Sequence, residues 1–340
     1  MSTEATRGTP PATTPAPAPT AGPTARTTGR TTSRTTGRGP KRPGTATRTG
    51  VAATVLLTPF FALFTVAMVI PVGYALWLSL FTEKASGLGF DGPRTVFHGL
   101  GNYTEALGDP AFRDGFQVLL GYCAFYIPLM VGGALILSLL LDTALARARR
   151  FFQLALFLPH AIPGLIAALI WIYLYTPGLS PVINAMDAGG FGFDFLSTDG
   201  ILPSVVNIAL WEWLGYNVVI FYASLQAVDR SLLEAATVDG AGQWRLAFSI
   251  KLPLIRSSLA LVLLFTVIGS LQLFTEPLIL SRSGASVPST WTPHMYAYSA
   301  AFQRNDYGLA AAASVLIALV AAALSFGVTR FSNRKEARAA

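Results

Sequence analysis

Six runs of about twenty or more mostly apolar residues constrain this chain more than any other feature. They lie near 51–81, 116–141, 151–175, 203–223, 257–280 and 308–329. About 20 apolar residues in a helix cross the roughly 30 Å hydrocarbon core of a bilayer. Backbone inside that core must satisfy its own hydrogen bonds. The sequence therefore predicts an all-α integral membrane protein with six transmembrane helices. Only 12% of the residues are charged, about half the share usual in soluble domains. The first run is long and holds Pro59 and Pro71, so it tilts or starts before the bilayer.

The basic residues orient the spans. With the amino terminus inside, the segments 1–50, 142–150, 229–256 and 330–340 hold 19 of the 24 Lys and Arg, against 5 in the outer loops 82–115, 176–202 and 281–307. Positive charge stays on the cytoplasmic side, so both termini are expected there. Residues 1–50 carry eight Lys and Arg and one Glu, while the rest of the chain holds sixteen of each sign. The pI of 9.7 thus describes a tail, not a basic face for nucleic acid. That Thr-, Pro-, Ala- and Arg-rich tail lacks the apolar side chains to offset its ordering entropy and is expected to be disordered. Its arginines can touch anionic membrane lipid. The six-span region is 51–330, with a short tail at 331–340.

Catalytic signatures are missing. The four lysines, Lys41, Lys84, Lys251 and Lys335, none of them preceded by glycine, supply no phosphate-binding GxxxxGK[ST] loop. There is no GxSxG, no catalytic residue to name and no metal-ligand spacing among His98, His160 and His294. One cysteine, Cys123, excludes an intrachain disulfide. No cofactor is expected on this chain.

Between the fourth and fifth runs lies the loop 229–256, containing "SLLEAATVDGAGQWRLAFSIKLPLIRSSL". Ser231 and Glu234 have the spacing of a capping box. Residues 235–238 continue a short helix, which Gly240 is placed to end. Trp244 and Phe248 follow at helical spacing, and Pro253 marks the approach to the fifth span. On physical grounds alone this is an amphipathic connector at the membrane surface.

The pattern Glu234-Ala235-Ala236, Gly240, then Ile250-x-Leu252-Pro253 also resembles the EAA loop of binding-protein-dependent ABC importer permeases, with "VDGA" (238–241) in the same motif. "LFLPHAIPGLIAALIWIYLY" (156–175) resembles the third span of the carbohydrate-uptake, maltose/glycerol-phosphate-type members. "GLGNYTEALGDPAF" (99–112), "LQLFTEPLIL" (271–280) and "YGLAAAASVLIAL" (307–319) are similar to their first outer loop, the end of their fifth span and the start of their sixth. Family members usually carry a Gly-Gly-Pro run after the fifth span. Here the chain reads "SRSGASVPST".

The resemblance implies a type I ABC importer permease fold in a bacterial cell membrane. It also implies a cytoplasmic ABC ATPase dimer that binds the ATP, a second homologous permease subunit and an external solute-binding protein. Glu234, Ala235, Ala236, Asp239, Gly240, Ile250, Leu252 and Pro253 would form the coupling contact to the ATPase.

Ionisable and amide groups within spans are costly and mark pathways. Glu212, Trp213, Tyr216 and Asn217 in the fourth span, with Gln272 and Glu276 in the fifth, are the candidate substrate pathway. Aromatic faces stack on sugar rings, and carboxylates and amides pair with hydroxyls, which suits a mono-, di- or oligosaccharide. Packing or contact with a partner subunit is the structural alternative for each residue. Glycerol-phosphate esters or another polar solute remain alternative cargoes. An ion-coupled secondary transporter using Glu212 and Glu276 is a third reading. His160, between Pro159 and Pro163, reads as a helix-entry residue with a gating role as the alternative, and Pro159, Pro163 and Gly164 are candidates for a bend.

Overall fold

The computed structural model describes residues 45–85, 93–143, 148–190 and 192–337. Most of the expected tail, residues 1–44, lies outside them. The described residues fall into two units, one ending at Pro59 and one beginning at Phe60.

Helix α1 (Thr45–Phe64) starts inside the segment expected to be disordered and runs through a π-helical turn, Thr65–Val69, into α2 (Ile70–Leu78). Pro71 has no N–H and its ring presses on the carbonyl four residues back, that of Ala67, which lies within the π turn. The wider turn absorbs the clash, and the helix continues. Thr54–Leu78 is long and apolar enough to cross a bilayer, and no residue of its most apolar stretch is fully buried in the protein.

A hairpin of β1 (Phe81–Ala85) and β2 (Pro93–Phe97) follows, antiparallel with Phe81 opposite Phe97. Sequence reading placed only a loop there. Helix α3 (Gly101–Gly108) leads to α4 (Pro110–Asp142). Asp109 caps α4 by accepting from Ala111 N–H at 2.9 Å and also accepts from Tyr296 Oη at 2.8 Å.

Along α4 the buried residues Leu119, Tyr122, Tyr126, Met130, Ala134, Ser138 and Leu141 recur every three or four positions. Leu120, Phe125, Leu129, Ile136 and Leu140 stand exposed on the other side. A helix apolar on both faces belongs in lipid. Its buried face packs on α8 (Ile201–Gln226), where Val205, Ile208, Ala209, Val218, Phe221 and Leu225 meet it.

The third apolar run departs from the expected single helix. It forms α5 (Arg149–Phe157), a 3-10 turn Leu158–Ala161 and α6 (Gly164–Tyr175), with a bend of 100° between the two halves. Ile162 precedes Pro163, a position that excludes helical backbone, and it is extended at φ −86°, ψ 129°. The described residues therefore hold five helical stretches long and apolar enough to span, and six if this bent pair counts as one.

Helix α7 (Pro181–Ala188) lies between α6 and α8. Beyond α8 come α9 (Arg230–Val238), α10 (Gln243–Arg245), a π-helical stretch Leu246–Lys251, α11 (Leu252–Leu254) and α12 (Arg256–Leu271). The fifth span is interrupted at Gln272–Phe274 and resumes as α13 (Thr275–Arg282); α14 (Pro293–Phe302) and α15 (Tyr307–Ala337) follow. Residues 331–337, expected as part of a tail, continue α15.

Gly215 marks a close backbone approach between α5 and α8. A Cβ there would lie 1.8 Å from the Leu156 carbonyl oxygen, so only glycine lets α5 rest on α8. Gly215→Ala is expected to destabilise the detergent-solubilised protein by about 1–3 kcal/mol, the usual cost of overpacking. Gly132→Ala, where a Cβ meets nothing within 4 Å, serves as the control and is expected to be neutral or stabilising. Thermal unfolding of both variants checks this.

Candidate translocation cavity and coupling loop

Two places in the fold concentrate polar groups. The first is a cavity of about 460 Å³ lined by α4, α8, α12 and the break before α13. Its walls are Tyr122 and Tyr126 from α4, Trp213, Tyr216 and Asn217 from α8, Phe265 and Thr266 from α12, then Gln272, Thr275 and Glu276. Tyr122 and Tyr126 stack with centroids 4.9 Å apart, and both are buried. Five of the six pathway residues expected from sequence line this one space. The sixth, Glu212, is buried behind it, with Oε2 lacking a hydrogen-bond partner in the protein.

Glu212 and Glu276 meet at the break in the third apolar run. A Cβ built on Gly164 would lie 3.4 Å from Glu212 Oε1 and 3.5 Å from Glu276 Oε1. The two carboxylates thus face the first turn of α6, where unpaired N–H groups and the helix dipole favour negative charge. His160, on the 3-10 turn, lies 4.6 Å from the Trp213 ring and 4.7 Å from the Tyr216 ring, centroid to centroid. It packs against these two rings from outside the cavity lining, at the bend expected at Pro159–Gly164. Thr266 Oγ1 is a second buried polar atom without a partner.

Tyr122, Tyr126, Thr266 and Thr275 escaped sequence reading. The available signal was the i, i+4 spacing of two tyrosines in an otherwise apolar run, which places both hydroxyls on one face. No Lys, Arg or His lines the cavity among the described residues.

The second place is the loop after α8. The expected Ser231–Glu234 capping box does not form. Asp229 is the cap instead: its carboxylate accepts from Ser231 N–H at 2.9 Å. A helix start two residues earlier puts Ser231 inside the first turn and leaves Glu234 exposed. The Ser231 hydrogen bonds hold the Asp229 carboxyl below its ordinary range.

The C-terminal expectation is met in full. Gly240 has φ +83°, its N–H donates to Thr237 O at 3.0 Å, and Ala241 N–H donates to Ala236 O at 2.9 Å. These paired bonds are a Schellman motif, for which a left-handed residue is required. Asp239 is the C-cap residue. Glu234, Ala235, Asp239 and Gly240 are exposed; Ala236, Ile250 and Leu252 are half-buried, and Pro253 is exposed on α11. Trp244 and Phe248 stack with centroids 5.8 Å apart and stay open to solvent at 78% and 50%.

A bundle of apolar helices around a polar, aromatic-walled cavity, with a capped and exposed helix beyond one span, is the architecture of a membrane transport subunit. Residues 134–338 match the family described as "Binding-protein-dependent transport system inner membrane component". The sn-glycerol-3-phosphate transport system permease protein UgpA of Yersinia pseudotuberculosis serotype I (strain IP32953) is 31% identical over 298 residues, covering 87% of this chain and 98% of the relative. UgpA of Escherichia coli (strain UTI89 / UPEC) is 29% identical, with 83% and 94% covered. A crystal structure of a bacterial ABC transporter that imports the acidic polysaccharide alginate superposes with a TM-score of 0.70 at 22% identity, over 85% of this chain and 96% of that one. A second structure of the alginate transporter, in complex with its alginate pentasaccharide-bound periplasmic protein, gives the same score and coverage at 21% identity.

The chain belongs to the family of inner-membrane components of binding-protein-dependent transport systems. It is a multi-pass membrane transport subunit and not an enzyme, as its sequence pattern implied. The helical six-span expectation holds, with the third span bent.

The caps predict local behaviour. Asp229→Ala is expected to speed hydrogen exchange of the α9 amides, whereas Asp229→Asn, which can still accept from Ser231 N–H, keeps their protection. The folded-state carboxyl titrates low, so its contribution is present above the ordinary Asp range and is lost as pH falls through the lowered value. Exchange mass spectrometry of residues 230–238 measures this.

Proposed function

We propose that the chain is the permease half of an ATP-driven importer that carries a carbohydrate delivered by an external solute-binding protein. It pairs with a second homologous permease, and a cytoplasmic ABC ATPase dimer hydrolyses the ATP. The observation that carries this reading is the pairing of one polar, aromatic cavity with one exposed, doubly capped helix on the same polypeptide.

In this reading α9 is the coupling helix. Glu234 and Ala235 are presented outward, and small alanine side chains let a partner surface approach closely. The exposed Trp244, Phe248 and Val238 supply the apolar area that a docked ATPase covers. Both termini lie on the cytoplasmic side with α9, on the strength of the Lys and Arg asymmetry. ATP binding closes the ATPase dimer, draws the coupling helices together and opens the cavity outward to a docked binding protein. Hydrolysis resets it inward.

The cargo reading rests on the wall chemistry. Tyrosine and tryptophan faces take the apolar side of a sugar ring, while Asn217, Gln272, Thr275 and Glu276 pair with hydroxyls in directed bonds. Two UgpA relatives named for sn-glycerol-3-phosphate favour a second reading, a phosphate ester. Against it stands a cavity with a carboxylate and no cationic side chain among its described lining residues. A dianionic group would meet repulsion there without a partner. Membership of a binding-protein-dependent family removes the motive for a gradient-driven carrier using Glu212 and Glu276.

Two outcomes are expected. The binding protein that co-purifies with the chain binds neutral sugars in preference to sn-glycerol-3-phosphate, by calorimetry against a panel of both. The reverse preference rejects the neutral-cargo reading. Glu234→Arg and Gly240→Pro insert normally but reduce uptake of that sugar by at least about tenfold, since proline cannot adopt φ +83° and lacks the N–H donated to Thr237. Wild-type uptake by either variant removes α9 from the coupling path.

A further inference from the structure

Asp142 is the last residue of α4, the end of a helix where the backbone carbonyls already concentrate negative charge. A carboxylate at that position works against the helix dipole, so its place is explained by what it holds. Its Oδ1 accepts from the Gln226 side-chain amide at 2.6 Å, and its Oδ2 pairs with the Lys251 ammonium. Gln226 is the final residue of α8, and Lys251 closes the π-helical stretch that follows α10. One carboxylate therefore ties together the ends of two spans and the segment that carries the coupling helix.

The pair is sheltered. The Asp142 side chain is 9% exposed and that of Lys251 is 16% exposed, so solvent screening is much weaker than for a surface ion pair. Around it lies a cleft of about 580 Å³ whose walls include Arg230, Glu234, Thr237 and Val238 from α9. The cleft separates the middle of α9 from Asp142, and α9 packs chiefly on the Leu246–Lys251 stretch. α9 is joined to the end of α8 by the three residues 227–229, and its contacts to the Leu246–Lys251 stretch give its displacement a second path, through Lys251 to Asp142 at the end of α4. Gln226 lies nine residues beyond Asn217 of the cavity wall, about 14 Å along α8.

Resting on the importer reading above, we propose that Asp142 is the positioning residue that couples this loop to the cavity. Through Lys251 and Gln226 it converts movement of the docked coupling helix into movement of α4 and α8 together. Those two helices contribute the Tyr122–Tyr126 and Trp213–Asn217 walls, so a joint shift of both reshapes the cavity without any contact between ATPase and cargo.

The test uses the complete importer complex in nanodiscs and needs no knowledge of the cargo. Cys123, the single native cysteine, is replaced by serine, and Gln272→Cys places a reporter on the cavity wall. The readout is its labelling rate by a membrane-impermeant maleimide, with and without ATP and vanadate. The parent complex is expected to change its labelling rate by about fivefold or more, the low end of measured coupling between distant sites. D142N and K251M are expected to retain the ATPase at parental stoichiometry yet lose that response. The reversed pair D142K/K251D restores it, because the Gln226 amide oxygen can accept from the new ammonium. A merely stabilising ion pair would alter melting without abolishing the ATP response.

Single variants that keep the parental response overturn the proposal, and so does a reversed pair no better than the singles. A parental complex that holds no ATPase overturns the importer reading itself and this inference with it.

Discussion

Backbone hydrogen bonding in a medium without water is the constraint on which the rest of this structure depends. It forces every crossing segment into a helix, because a free N–H or C=O in hydrocarbon costs several kcal/mol, on the order of a lost hydrogen bond or more. Irregular backbone is tolerated only where it is buried in protein or faces a polar space. The two breaks inside apolar runs obey that rule. Ile162–Pro163 brings the start of α6 against Glu212 and Glu276, and Gln272–Phe274 brings Gln272 and Leu273 to the cavity wall. Two prolines are carried behind a π-helical turn, Pro71 after Thr65–Val69 and Pro253 after Leu246–Lys251, whereas Pro59 in α1 and Pro128 in α4 are carried without one.

The same economy explains where polar side chains sit. Glu212 leaves one oxygen unpaired in a buried site, a costly arrangement that the first turn of α6 partly offsets through its dipole. Asp142 occupies the opposite kind of helix end and depends on Lys251 and Gln226. One carboxylate pair lies beside the cavity and one carboxylate lies beside the loop, and α8 runs between them. The rigid helix carries both the Trp213–Asn217 wall and the Gln226 contact, so loop and cavity are mechanically continuous.

Much of this was legible in the sequence, for definite reasons. Six spans were read from hydropathy alone, and all but the bent third correspond to helical stretches long enough to cross, because length and apolarity jointly fix a crossing. Gly240 was legible because a left-handed C-cap has few alternatives. The bend at Pro163 was visible as a possibility, but its 100° angle depends on how α5 packs at Gly215, a contact 59 residues away in the chain. The helix start at Asp229 was misjudged, since Asp229 and Ser231 are both good caps and a two-residue shift decides between them. The β1–β2 hairpin was missed because each strand is only five residues long and neither shows a clean alternation of apolar and polar residues. Asp142 carried no local signal either, because its partners lie 84 and 109 residues away.

The claim that most needs direct measurement is that α9 is the surface through which ATP-driven motion reaches the spans. A photo-crosslinking amino acid placed at Ala235 in living cells, followed by mass spectrometry of the adducts, tests it most directly. An adduct with a cytoplasmic ATPase carrying a GxxxxGK[ST] loop, absent when the crosslinker is moved to Phe302 on α14, is the predicted result. Adducts at Ala235 with lipid alone, in cells where transport is active, would contradict the account.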